Sequence, residues 1–200
     1  MIIYRIVRFL AHPFFNLLYR IKVYGRENIP QDGGYIFCPN HTCNLDPVLL
    51  AVNIRRPICY MAKEELFEKR WLAPLLRLVG AFPVNRGKGD TTAIDHAIDT
   101  LKRGRNVGIF PEGTRSKTGK LLPLKSGATV VAERSGAGIV PVGIVINGGK
   151  CKFRCGVTIR IGKPIENSEM GFEQGGTRAL RTVKNRLTGD LLELTGERQA

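Results

Sequence analysis

Apolar positions in this chain recur with two periods, and the period switches repeatedly along its length. Ile21-Lys22-Val23-Tyr24-Gly25 alternates, which predicts a first strand. Short apolar runs at residues 35–38, 57–62, 82–85, 107–110 and 139–146 have the length of buried strands, and residues 157–161 alternate again. Between them the period lengthens. Residues 47–52 predict a helix with Pro47 at its first position. Residues 91–103 predict another, capped by Asp90 and stopped by Gly104, with Ile94, Ala97, Ile98 and Leu101 on one face. Residues 127–135 form a third, ended by Gly136. Residues 177–194 carry Leu180, Val183, Leu187, Leu191 and Leu194 at helical spacing, as a helix on its own sheet or as a coiled-coil seam, the former being expected. Residues 64–79 predict a helix broken at Pro74, whose Phe67, Trp71, Leu72, Leu75, Leu76 and Leu78 suit a core stripe, an acyl-chain channel or a bilayer contact. Strands alternating with helices give an α/β sandwich, with a mostly parallel central sheet flanked by helices.

The first twenty residues stand apart from this alternation. They are strongly apolar, but Arg5, Arg8, His12 and Asn16 recur at three- or four-residue spacing as a polar stripe, and no acid occurs before Glu27. Arg5, Arg8 and Pro13 argue against a spanning helix, and the interrupted apolar run argues against a signal peptide. The pattern predicts an amphipathic interfacial helix at residues 1–20, kinked at Pro13, on a domain formed by residues 21–200. The alternative is a helix packed on the domain's own core.

Composition narrows the partners. Two hundred residues suit one domain. The net charge of +14 favours polyanions: nucleic acid, an anionic membrane or phosphorylated ligands. Nucleic-acid binding predicts basic residues interleaved with exposed aromatics. Here the basic residues are scattered, so no nucleic-acid partner is expected. The five cysteines are odd in number, and Cys151-x3-Cys155 has no matching pair, so reduced thiols and no metal site are expected.

Two loops carry candidate chemistry. Asn40-His41-Thr42-Cys43-Asn44-Leu45-Asp46-Pro47 lies between a predicted strand and a predicted helix, where small-molecule sites in α/β folds gather. Its spacing lets Asp46 fold back onto one ring nitrogen of His41, leaving the other as an outward base. The plainer reading is Asp46 as a helix N-cap and His41 as polar surface. The second loop, Phe110-Pro111-Glu112-Gly113-Thr114-Arg115-Ser116, also follows a predicted strand. His96 sits near an apolar helical face and is expected to pack or lie on the surface.

Together these two loops resemble the glycerophospholipid acyltransferase family. Gly80-Ala81-Phe82-Pro83-Val84-Asn85-Arg86 and Val140-Pro141-Val142-Gly143 resemble two weaker family stretches, in the same order. The resemblance covers roughly residues 20–165. It implies transfer of a fatty acyl chain from a thioester to the 2-hydroxyl of 1-acylglycerol 3-phosphate, lysophosphatidic acid. Glycerol 3-phosphate and other lysophospholipids are alternative acceptors. His41 would be the general base held by Asp46, and Glu112, Gly113, Thr114 and Arg115 would bind the acceptor. The guanidinium groups of Arg115 and Arg86 suit its phosphate, with Lys125 a weaker candidate. Glu112 would hold glycerol oxygens or orient Arg115; the residues alone leave this open. The resemblance implies direct transfer, the rival being a covalent acyl intermediate on Cys43. A thioesterase using the same pair is a further rival. No cofactor is implied, the donor being acyl-coenzyme A or acyl carrier protein as co-substrate. The expected location is peripheral, on the cytoplasmic face of the cell membrane.

Overall fold

The computed structural model describes residues 2–70, 73–78, 80–84, 91–149 and 151–197. Seven strands form one sheet: β1 (Arg20–Tyr24), β2 (Ile36–Pro39), β3 (Ile58–Lys63), β4 (Phe82–Val84), β5 (Asn106–Gly108), β6 (Ile139–Ile146) and β7 (Gly156–Ile161). Their order is β1-β7-β6-β2-β5-β3-β4. All pairings are parallel except the antiparallel β6–β7 pair, as the predicted mostly parallel sheet requires.

Side-chain alternation along the central strands divides the core in two. Ile36 and Cys38 of β2 point to one face and pack with α4 (Thr91–Lys102), α5 (Gly127–Ser135) and α6 (Gly176–Thr195). Phe37 points to the other and packs with Leu49 and Leu50 of α2 (Asp46–Asn53). Eight residues are too few for a helix to persist alone. Leu49 and Leu50 are fully buried, each worth about 1.5–3 kcal/mol, so packing holds α2 in place. On α6, Val183, Leu187 and Leu191 are buried in the same core as α4 and α5, so the leucine seam is covered by the chain itself.

The predicted helix over 64–79 is not continuous. Glu64–Leu66 is a single 3-10 turn, and the helix proper, α3, covers Ala73–Leu78. Pro74 sits in its first turn, where the missing N–H costs nothing, so it begins the helix rather than breaking it. Trp71 and Leu72, and the Asp90 cap, lie outside the described residues.

The amino-terminal helix, α1 (Ile2–Leu18), includes Pro13. One side packs on the domain: Tyr4 is buried, its hydroxyl donating to the Ala51 carbonyl at 3.0 Å, and Phe15 joins the core beneath β1. The opposite side leaves Ile6, Phe9, Leu10, Phe14 and Leu17 exposed, Phe9 to 75% and Leu17 to 79%. One face of this helix is therefore core, as the second alternative expects, and the other is an uncovered apolar ridge. Among the described residues no helix is long and apolar enough to cross a membrane.

Candidate active site

Parallel pairing explains why two loops distant in sequence meet. β2 and β5 are neighbours, with Ile36 opposite Val107 and Phe37 opposite Gly108, so their carboxyl ends lie side by side. The His41 loop leaves one and the Glu112 loop leaves the other. This is the edge at which open α/β sheets place their ligands.

His41 is held on every side. Its Nδ1 lies 2.9 Å from Asp46 Oδ2. The same carboxylate oxygen accepts the Thr42 and Cys43 backbone N–H groups, both at 2.7 Å. Asp46 is fully buried in the first turn of α2. Leu45, not Asp46, occupies the N-cap position, so the carboxylate serves the preceding loop rather than the helix end. The His41 ring lies against Phe110, centroids 4.0 Å apart. With Nδ1 directed at Asp46, Nε2 is the nitrogen left to take a proton.

The backbone of His41 is bracketed as well. Its N–H donates to Glu112 Oε1 at 2.6 Å, and its carbonyl accepts the Ser116 N–H at 2.8 Å. The other oxygen of Glu112 accepts the Leu122 N–H at 2.8 Å. Glu112 is buried, and that burial pushes its carboxyl above the ordinary range, while the amides of His41 and Leu122 pull it part of the way back. One residue earlier, Asn40 exchanges a pair of hydrogen bonds with Ile144 of β6: its amide donates to the carbonyl at 3.0 Å and its oxygen accepts the N–H at 2.6 Å. Neighbouring loops and strands thus fix the histidine independently of its own segment.

Gly113, Thr114 and Arg115 share the loop with Glu112. Gly113 has φ +70, a left-handed conformation, and a Cβ there would come within 2.9 Å of the Lys125 side chain, which lies across it. Thr114, Arg115 and Lys125 are all exposed. Among the described residues no carboxylate forms an ion pair with Arg115 or Lys125. The structure therefore places His41, Asp46, Glu112, Gly113, Thr114, Arg115 and Lys125 at one edge, whereas Arg86 lies outside the described residues. Both oxygens of Glu112 accept backbone amides, and among the described residues no ion pair joins it to Arg115.

Cys43 is directed elsewhere. Its sulfur accepts the Leu45 N–H at 3.4 Å and its thiol interacts with that of Cys151, which burial and this contact raise to about 12. His96 stacks on Phe82, with centroids 4.1 Å apart. Asn40, Phe110 and Ser116 are the positioning residues that sequence reasoning missed. A polar asparagine ending a buried strand was the one available signal.

A buried acid–histidine pair, beside a loop whose cations form no ion pair among the described residues, has the chemistry to abstract a proton next to an anionic group. The sequence profile of the Acyltransferase family matches residues 20–145, and the chain belongs to that family. It is 38% identical over 152 residues to the 1-acyl-sn-glycerol-3-phosphate acyltransferase of Bacillus subtilis, covering 74% of this chain and 75% of that one. It is 32% identical over 191 residues to the Saccharomyces cerevisiae enzyme of the same name, covering 87% of this chain and 60% of that protein. The crystal structure of the 1-acyl-sn-glycerophosphate (LPA) acyltransferase PlsC from Thermotoga maritima superposes with a TM-score of 0.74 at 27% identity, over 98% of this chain and 80% of that chain.

Proposed function

We propose that this acyltransferase moves a fatty acyl group from a thioester to the 2-hydroxyl of 1-acylglycerol 3-phosphate, forming phosphatidic acid. The observation that carries the reading is the 2.9 Å contact from His41 Nδ1 to the buried Asp46 carboxylate, with His41 clamped front and back by Glu112 and Ser116. The names of the relatives supply the acceptor. Nε2 of His41 takes the proton from the acceptor hydroxyl as its oxygen attacks the thioester carbonyl. Asp46 steadies the imidazolium that forms. The carbon–sulfur bond then breaks and the leaving thiolate recovers the proton from His41. General-base catalysis of this kind is worth about 10²–10⁴-fold. No side chain is acylated, since the acceptor's own hydroxyl is the nucleophile. Arg115 and Lys125 hold the acceptor phosphate, and Arg86 is assigned with them. Glu112 is a positioning residue for His41. Acyl-coenzyme A and acyl carrier protein both suit the basic chain as donors.

The exposed ridge of α1, from Ile6 to Leu17, supports a peripheral position on the surface of a bilayer, and the cytoplasmic face is the side we assign to it. The test is an acceptor panel with labelled palmitoyl-coenzyme A on phosphatidylcholine vesicles. Lysophosphatidic acid should yield phosphatidic acid, while glycerol 3-phosphate and lysophosphatidylcholine should yield little product. Fatty acid released equally with and without acceptor would replace the transferase reading with a hydrolase.

A further inference from the structure

At the other end of α2 from His41 lies a second basic region, separate from the acceptor loops. α2 runs from Asp46, beside His41, to Asn53, a span of about 12 Å at 1.5 Å per residue. Beyond it, Arg55 and Arg56 precede β3 at the opposite edge of the sheet from His41. There a cleft of about 930 Å³ lies between α1 and the domain, and its lining includes Arg8, His12, Arg26, Arg55 and Arg56 together with the exposed Phe9 and Leu10. A smaller space of about 460 Å³ shares Arg8, Phe9, Leu10 and Arg55 and adds Arg5. Among the described residues no aspartate or glutamate lines either one.

Two of these arginines are anchored by neutral carbonyls. Arg26 Nη1 donates to the Asn53 carbonyl at 2.8 Å. Arg56 donates to the carbonyls of Pro30, Asp32 and Gly33. Carbonyls fix these side chains without neutralising them. Arg5, Arg8 and Arg55 form no ion pair among the described residues, and Arg8 Nε is buried with no acceptor within the protein. The cations feel one another. Burial and then Arg8 and Arg26 hold the His12 imidazole below its ordinary range, and burial and then Arg55 and Arg8 lower Arg26. Gathering like charges without a counter-charge is costly for a fold. A phosphate group would relieve this repulsion and accept the donors the cavity presents.

The apolar part of the lining identifies the occupant. Phe9 and Leu10, 75% and 65% exposed, belong to the same ridge that faces the bilayer. A ligand with phosphate among the arginines and hydrocarbon against these apolar side chains is a phospholipid. We infer that the arginine cavity between α1 and the α2–β3 connection binds the phosphate of an anionic phospholipid of the membrane on which the enzyme sits. This rests on the proposed placement of α1 on a bilayer. The site fastens the far end of α1 while Leu17 lies toward the His41 edge, since Tyr19, just beyond α1, is near Cys43 and Cys151.

The test is co-sedimentation with vesicles of phosphatidylcholine, with and without phosphatidylglycerol, at constant ionic strength. Two charge-matched double variants are compared: Arg8→Gln with Arg55→Gln in the cavity, and Arg178→Gln with Arg181→Gln on the exposed side of α6. Unfolding midpoints in urea confirm that each is folded. The cavity variant should lose the preference for phosphatidylglycerol vesicles by about tenfold or more, from two charge-assisted contacts. It should still bind phosphatidylcholine vesicles, and the α6 variant should keep the preference. Equal losses in both variants would assign the preference to diffuse charge and overturn the site. No loss in the cavity variant, with inorganic phosphate raising the wild-type unfolding temperature through Arg8 and Arg55, would make the occupant a free phosphate and overturn the lipid assignment. Failure of wild type to bind any vesicle would remove the α1 placement itself, and the inference with it.

Discussion

Glu112→Gln separates positioning of His41 from binding of the acceptor. In the wild type the two carboxylate oxygens accept the N–H groups of His41 at 2.6 Å and Leu122 at 2.8 Å. A glutamine retains one acceptor and turns an NH₂ toward the other donor. One buried N–H is left unpaired, at a cost of about 1–3 kcal/mol. Against a typical total of 5–15 kcal/mol the variant still folds. The pH dependence follows from burial. The folded protein holds the Glu112 proton more tightly than the unfolded chain, because burial raises its carboxyl. It therefore binds more protons than the unfolded chain between the ordinary glutamate range and that raised value. Wild-type stability gains from this group are present on the acid side and fall as pH rises through the window. Glutamine has no such proton, so wild-type stability should fall across this window while that of the variant stays level. Urea unfolding across this range measures it. Activity gives the second readout. A shift of the His41 loop of the order of 1 Å is worth up to about 10²-fold in rate. The turnover number should fall by about ten- to a hundredfold, while KM for lysophosphatidic acid stays within about twofold. A KM raised tenfold with turnover and stability unchanged would show that Glu112 binds the acceptor, and would refute the bracket.

Two further outcomes follow from the same geometry. Arg115 is exposed and makes no ion pair among the described residues, so Arg115→Ala should leave the unfolding midpoint unchanged and raise KM for a phosphorylated acceptor by about ten- to a hundredfold, as loss of a charged hydrogen bond requires; steady-state kinetics against lysophosphatidic acid checks it. Asn40→Ala removes both hydrogen bonds to Ile144, so urea unfolding should register a loss of about 2–4 kcal/mol together with reduced turnover.

How far the chain could be read from its residues depends on whether the partners were local. The strands were visible because a buried parallel sheet leaves short apolar runs between turns, and Ile36, Phe37 and Cys38 alternate between the two cores as such a run should. The His41–Asp46 contact was visible because both partners sit in one short loop. Glu112 was not, because its partners are backbone amides of another loop and of Leu122, and an amide carries no signature in the side-chain sequence. Over residues 64–79 an interruption was legible from Pro74, but not its sense, because proline suits a helix start as readily as a break and here it lies in the first turn of α3. On α1 the polar stripe was legible, but not that Arg8 and His12 turn inward to line a cavity with Arg55 and Arg56. That arrangement depends on where the α2–β3 connection passes.

The central claim is that His41 is the base for acyl transfer, and His41→Ala tests it most directly. Phosphatidic acid formed from labelled acyl-coenzyme A and lysophosphatidic acid should be measured under single-turnover conditions, alongside unfolding in urea. The ring lies tilted against Phe110 but is only one member of a loop fixed through its backbone, so the variant should remain folded. Product formation should fall by about 10²–10⁴-fold, the range for a lost general base. Transfer at the wild-type rate by a folded His41→Ala protein would contradict the account.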